Sequence, residues 1–156
     1  MNVDVITHNP DEHARFAAYL EKLRQVTDAG EVDLVRRVLT DPDPTMAQSA
    51  VLRHLDRRAA ALHLEPAYQE WAQAMDRATT GSPFLAQRLR EWALLRAITL
   101  ELPWQAGDLL AASHRLQLMA ATGTNTQAVE ILAEAGSTRR IRNTARATLR
   151  GHRAES

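Results

Sequence analysis

The stretch Leu39-Thr40-Asp41-Pro42-Asp43-Pro44-Thr45-Met46-Ala47-Gln48-Ser49-Ala50 is an acidic double-proline turn, and it limits what the chain around it can become. Proline lacks an amide hydrogen and clashes with the preceding turn, so neither Pro42 nor Pro44 fits a helix interior. At the first helical position the missing donor costs nothing, and an Asp just before it accepts a bond from the orphan amides. Asp41 and Asp43 are therefore expected as caps, with a helix opening at Pro44. The apolar run before the turn, Val35, Val38 and Leu39, belongs to another helix, so two antiparallel helices meet here.

The same punctuation recurs along the chain. Ala and Leu return at helical spacing throughout, and β-branched or aromatic residues seldom alternate with polar ones, which predicts an all-α fold. A first helix is expected to open at Asn9-Pro10 and stop at Gly30, carrying Phe16, Leu20 and Leu23 as its stripe. A second covers 31–39, and a third covers 44–64 with Ala47, Val51, Leu55 and Leu62 on one side. Glu65-Pro66 starts a fourth, bearing Tyr68, Trp71 and Met75, which fades at Thr79-Thr80-Gly81. The fifth, 84–100, is apolar over most of its circumference, with Leu85, Leu89, Trp92, Leu95 and Ile98. Leu102-Pro103-Trp104 breaks it, and a sixth helix runs to about Thr122. Residues 126–135 and 137–151 close the series as a pair split by Gly136.

Two segments resemble HEAT-type helical repeats. In residues 35–55 the helices meet at the Asp-Pro-rich turn, and the second opens on Met46-Ala47, where the repeat pattern has an apolar residue followed by a basic one. In residues 126–149 the run Gly136-Ser137-Thr138-Arg139-Arg140-Ile141-Arg142-Asn143-Thr144-Ala145 keeps the Ile-Arg pair and a small residue four positions later. The turns lie about three repeat lengths apart at ~30 to 40 residues per pair. The resemblance implies a short right-handed α-solenoid of antiparallel pairs, seven to eight helices in a single domain over 1–153, with 154–156 frayed.

Charge and composition exclude several functions. Nineteen basic and nineteen acidic residues cancel, so no global field recruits nucleic acid or anionic membrane. With no Cys there is no disulfide, thiolate catalysis or Cys-ligated metal. No apolar run approaches membrane-spanning length, and residues 1–8 carry an acid, Asp4, where a signal peptide has bases, so a cytoplasmic protein without a membrane partner is expected.

Local patterns supply the binding candidates. Arg139, Arg142, Arg146, Arg150 and Arg153 recur at three and four, within roughly a quarter turn of one another, a stripe suited to phosphate or carboxylate. Lys22 is the lone Lys, so the stripe also reads as the solvated face of a terminal repeat in an arginine-using protein. Trp104, after Pro103 at a helix break, is the aromatic expected to be exposed, whereas Trp71 and Trp92 sit at core spacing. His8, His13, His54, His63, His114 and His152 lack metal-ligand spacing, and His54 beside Asp56, Arg57 and Arg58 is expected on a solvated helix face. No catalytic residue, cofactor or metal ligand is assigned.

The leading expectation is a non-enzymatic interaction module, an adaptor, regulatory or inhibitor-type protein that binds a protein partner through one face of a repeat stack. The alternative is nucleic-acid or phosphate-group binding through the arginine stripe. A third, implied by HEAT-like DNA glycosylases, is a base-modifying hydrolase using Trp71, Trp92 and Asp76.

Overall fold

The computed structural model describes the backbone of residues 3–155 and the side chains of 11–155. It is all-α. Among the described residues there are nine α-helices and no strand: α1 (Val3–Gln25), α2 (Glu31–Val38), α3 (Pro44–Leu62), α4 (Tyr68–Ala78), α5 (Pro83–Thr99), α6 (Ala106–Ala111), α7 (His114–Ala121), α8 (Thr126–Ala135) and α9 (Arg139–Glu155). The chain divides into two compact units, the first ending at Leu89 and the second starting at Arg90.

In the first unit α1 packs on α2 and α3, and α2 packs on α3 and α4. Its core is Leu23, Leu34, Val35, Val38, Ala47, Val51, Leu55, Trp71, Met75 and Leu85, at the spacings that the periodicity marked. The expected start at Asn9-Pro10 is overturned, because helical backbone begins at Val3 and runs through Pro10, whose missing amide leaves the Ile6 carbonyl without its intrahelical donor. Gly30 is likewise not the end of α1. The helix stops at Gln25, ahead of the β-branched pair Val26-Thr27, and Thr27 Oγ1 accepts from the Gly30 amide at 3.3 Å to cap a 3₁₀ turn, Asp28–Gly30, that leads into α2.

The double-proline turn divides its two acids between different tasks. Asp43 caps α3, its Oδ1 accepting from the Met46 amide at 3.1 Å, with Pro44 in the first turn. Asp41 is not a helix cap. Its Oδ2 accepts from Arg15 Nε at 3.0 Å and Tyr19 Oη at 2.6 Å, and its Oδ1 from Arg15 Nη2 at 3.2 Å and the Asp43 amide at 2.9 Å. The turn is thereby fastened to α1. Arg15, then Tyr19 and the Asp43 amide, hold the Asp41 carboxyl down at about 2.

In the second unit α8 and α9 pack along each other, α7 packs on both, and α6 packs on α8. Trp92, Leu95, Ile98, Leu109, Leu116, Val129, Leu132 and Ile141 form its core. The expected sixth helix is two helices, which raises the count above the seven to eight expected. Ser113 ends the first by capping the second, its Oγ accepting from the Leu116 amide at 3.2 Å, while the buried Glu91 carboxylate takes the Ser113 amide at 2.9 Å and hydroxyl at 2.7 Å. A fully buried Gln117 then joins two corners of the unit. Its Nε2 donates to the Leu110 and Ala112 carbonyls and to Ser137 Oγ, and its Oε1 accepts from the Ser137 amide.

Candidate binding surfaces

In the first unit the most concentrated chemistry surrounds Glu31, the first residue of α2 and only 4% exposed. Its Oε2 accepts from His54 Nε2 at 2.6 Å, Trp71 Nε1 at 2.9 Å and Arg58 Nε at 3.0 Å, and its Oε1 accepts from Arg58 Nη2 at 3.1 Å. His54 Nδ1 lies 2.9 Å from Arg57 Nη2, which can only donate, so the ring proton sits on Nε2 and points at Glu31. Burial works against the Glu31 charge, but the bonds from His54, Arg58 and Trp71 prevail and bring its carboxyl to about 2. A groove of about 340 Å³, lined in part by Val32, Leu62, Trp71 and Met75, opens beside this cluster. The carboxylate is committed to its own chain, which makes it a clamp holding α2 to α3 and α4.

This cluster overturns the expectation that His54 faces solvent, since the side chain is 2% exposed. The reason is angular. At 100° per residue His54 and Arg58 lie within about 60° of Val51, on the face that also carries Ala47 and Leu55. Neighbouring charges at 56–58 obscured a periodicity that placed His54 in the core, and a buried imidazole then requires an acid such as Glu31 opposite it.

In the second unit the arginine stripe lies along α9. The helix is opened by Thr138, whose Oγ1 accepts from the Ile141 amide at 3.1 Å, and Ile141 and Ala145 are buried on the face opposite the arginines. Arg139, Arg146, Arg150 and Arg153 are exposed. Arg142 is half-buried and differs from the others, because its Nη1 donates to the Gly136 carbonyl at 2.8 Å and ties α9 back to the end of α8. Arg146 donates to Asn143 at 3.2 Å, and no carboxylate meets Arg139, Arg146 or Arg150 among the described residues. Fourteen residues separate the ends of the stripe, about 21 Å of helix.

Trp104 belongs to a different feature. At the end of α5 the Leu102 amide donates to the Ala97 carbonyl at 2.9 Å and the Glu101 amide to the Ile98 carbonyl at 3.4 Å, the paired bonds of a Schellman stop. Such a stop needs a left-handed residue, and here Glu101 takes it at φ 57°. Pro103 then bars further helix. The half-buried Trp104 lines a groove of about 500 Å³ with Leu102, Ala106, Asn125, Thr126 and Gln127, among others. Asn125 anchors it, donating to the Ile98 carbonyl at 2.7 Å and capping α8 through the Ala128 amide at 3.1 Å. Leu100 and Leu102 each remain 40% exposed. No stripe arginine lines this groove, so Trp104 and the stripe are separate surfaces.

The other two tryptophans are internal. Trp71 is bonded to Glu31, and Trp92 is buried with the Arg115 guanidinium 5.5 Å from its ring centre. Asp76 is exposed and lines a hollow with Thr79, Thr80 and Pro83, apart from the groove that Trp71 lines.

No group of three or more His, Asp or Glu side chains is placed to hold a metal ion among the described residues, and none of their helices is long and apolar enough to cross a membrane. Compared with family models, curated proteins and solved structures, the chain matches none.

Proposed function

We propose that the chain is a non-enzymatic interaction module of HEAT-like helix pairs, an adaptor, regulatory or inhibitor-type protein that binds a protein partner. The observation that carries this reading is the apolar loop after α5, where Leu100 and Leu102 stand 40% exposed beside the Trp104 groove on backbone fixed by the Schellman bonds and by Asn125. Exposed apolar anchors on a rigid frame supply the buried centre of a protein interface, where aromatic and aliphatic side chains contribute most of the affinity. The buried carboxylates support binding over chemistry, since Glu31, Asp41 and Glu91 each accept bonds from their own chain. Two of the positions that carry the repeat resemblance are engaged at helix ends, which supports the reading: Asp43 caps α3, and Arg142 donates to the Gly136 carbonyl in the turn between α8 and α9.

A photo-crosslinking amino acid placed at Leu102 tests the reading, with the exposed Gln73 as control position. Irradiation in the native cytosol should give a discrete protein adduct from position 102 and none of the same mass from position 73. Absence of any adduct specific to position 102 would overturn it.

A further inference from the structure

We propose that α9 is a docking strip for the phosphodiester backbone of duplex nucleic acid, contacted without reading of the bases. The strip is built from Arg139, Arg146, Arg150 and Arg153, exposed along one face and separated from the core by Ile141 and Ala145 on the other. Arg139, Arg146 and Arg150 meet no carboxylate among the described residues, and the one acid of α9, Glu155, is its last residue. The chain as a whole is neutral, yet the second unit holds nine basic and six acidic side chains, so the positive charge gathers where the strip is. Arg142 is outside the strip: its bond to the Gly136 carbonyl fixes the start of the helix that presents the others.

The composition of this face selects the occupant. A protein interface needs an apolar centre with charges at its rim, and the large exposed hydrophobic residues, Leu64, Phe84, Leu100, Leu102 and Leu110, all lie outside α9. A single strand is gripped by aromatic rings stacked on splayed bases, and residues 139–155 contain no Phe, Tyr or Trp. A duplex backbone needs neither. It offers a charge about every 3.4 Å along each strand, so a strip of about 21 Å has more phosphates in reach than guanidinium groups to meet them, and affinity arises from counterion release. Forked guanidinium donors match phosphate oxygens in pairs.

Fluorescence anisotropy of the full chain with a labelled random duplex of about 20 base pairs tests this, over roughly 50 to 200 mM salt. Log affinity should fall linearly with log salt with a slope of about 3, the value for three to four phosphate contacts at ~0.9 each. Changing Arg139, Arg146 and Arg150 together to Gln should cost roughly tenfold or more in low-salt affinity and flatten the slope, with the melting point unmoved because exposed charges add little to folding. If the triple variant melts early, the Arg146→Gln and Arg150→Gln pair carries the test. No binding by the parent at low salt, an unchanged slope in the variant, a single strand of equal length bound more tightly, or poly-glutamate displacing the duplex charge for charge would each overturn the proposal. The last outcome would mark the strip as a site for an acidic protein.

Discussion

Replacing Glu31 by Ala should destabilise the first unit more than any single surface change, and the size follows from what the carboxylate holds. Four donor contacts converge on it, from His54, Trp71 and two nitrogens of Arg58. Arg58 already reaches Asp28 at 3.1 Å and keeps a partner when Glu31 is gone. The donors of His54 and Trp71 have no such substitute, and each buried donor left unpaired costs about 1–3 kcal/mol. Removing one member of a buried ion pair costs about 3–5 kcal/mol, and the two estimates agree. In a domain of this size that corresponds to roughly 10 °C in melting midpoint. Glu31→Gln keeps one carbonyl acceptor but turns an amide donor on the remaining donors, so it should fall between Ala and the parent. Acid adds a second signature. The Glu31 carboxyl is held at about 2 in the fold against an ordinary 4.5, so its contribution is complete above the ordinary value and disappears as pH falls through the folded one. The stability difference between the parent and Glu31→Gln should therefore be constant above about pH 5 and shrink from about 4.5 toward 2. Urea unfolding followed by circular dichroism at several pH values measures both effects. Parent-like stability in Glu31→Ala, or a difference independent of pH below 4.5, would refute the reasoning.

Substitutions at three further positions test individual pieces. Asp43→Ala should lower the melting midpoint by roughly 2–4 °C through loss of the α3 cap, with Asp43→Asn and Asp43→Ser much closer to the parent, and equal effects from all three would mean that the cap contributes nothing. Glu101→Gly should raise thermal stability, since φ 57° strains an L residue and suits glycine in a Schellman stop, and a lower midpoint would show that the Glu101 side chain contributes more than the strain costs. Gly136→Ala should cost about 1–3 kcal/mol for steric reasons, because an added Cβ would stand 2.7 Å from Ile141 Cγ2 and 2.7 Å from the Leu132 carbonyl oxygen, and an unaffected melt would show that the α8–α9 corner yields.

Proline, glycine and apolar spacing made much of this fold legible. The Asp43 cap, the Pro44 start, the buried faces of α3, α4 and α5, and the helix break before Trp104 all follow from rules that act within a few residues, whereas Trp104, expected to be exposed, is half-buried in the groove it shares with Ala106 and Asn125. What escaped depends on partners far along the chain. Asp41 looks like a cap until Arg15 and Tyr19 arrive from α1, and His54 looks solvated until Glu31 faces it across 23 positions. The break at Ser113 was hidden for the same reason, since a lone Ser in an apolar helix ends it only when a buried acid such as Glu91 holds its amide and hydroxyl. In the stripe, spacing identified five arginines on one face, but only packing shows that Arg142 is engaged with Gly136 while Arg139, Arg146 and Arg150 meet no acid among the described residues.

The central claim is that the apolar loop after α5 is the surface that takes a protein partner, and one comparison tests it most directly. The parent, a Leu102→Glu and Trp104→Ala variant, and the triple Arg-to-Gln variant of α9 are immobilised at equal density, and retained proteins are quantified from a native cell lysate after nuclease treatment. The account predicts a protein retained equally by the parent and the α9 variant and lost from the loop variant, with all three showing the same helical circular dichroism. Equal retention by all three, or loss from the α9 variant alone, would contradict it.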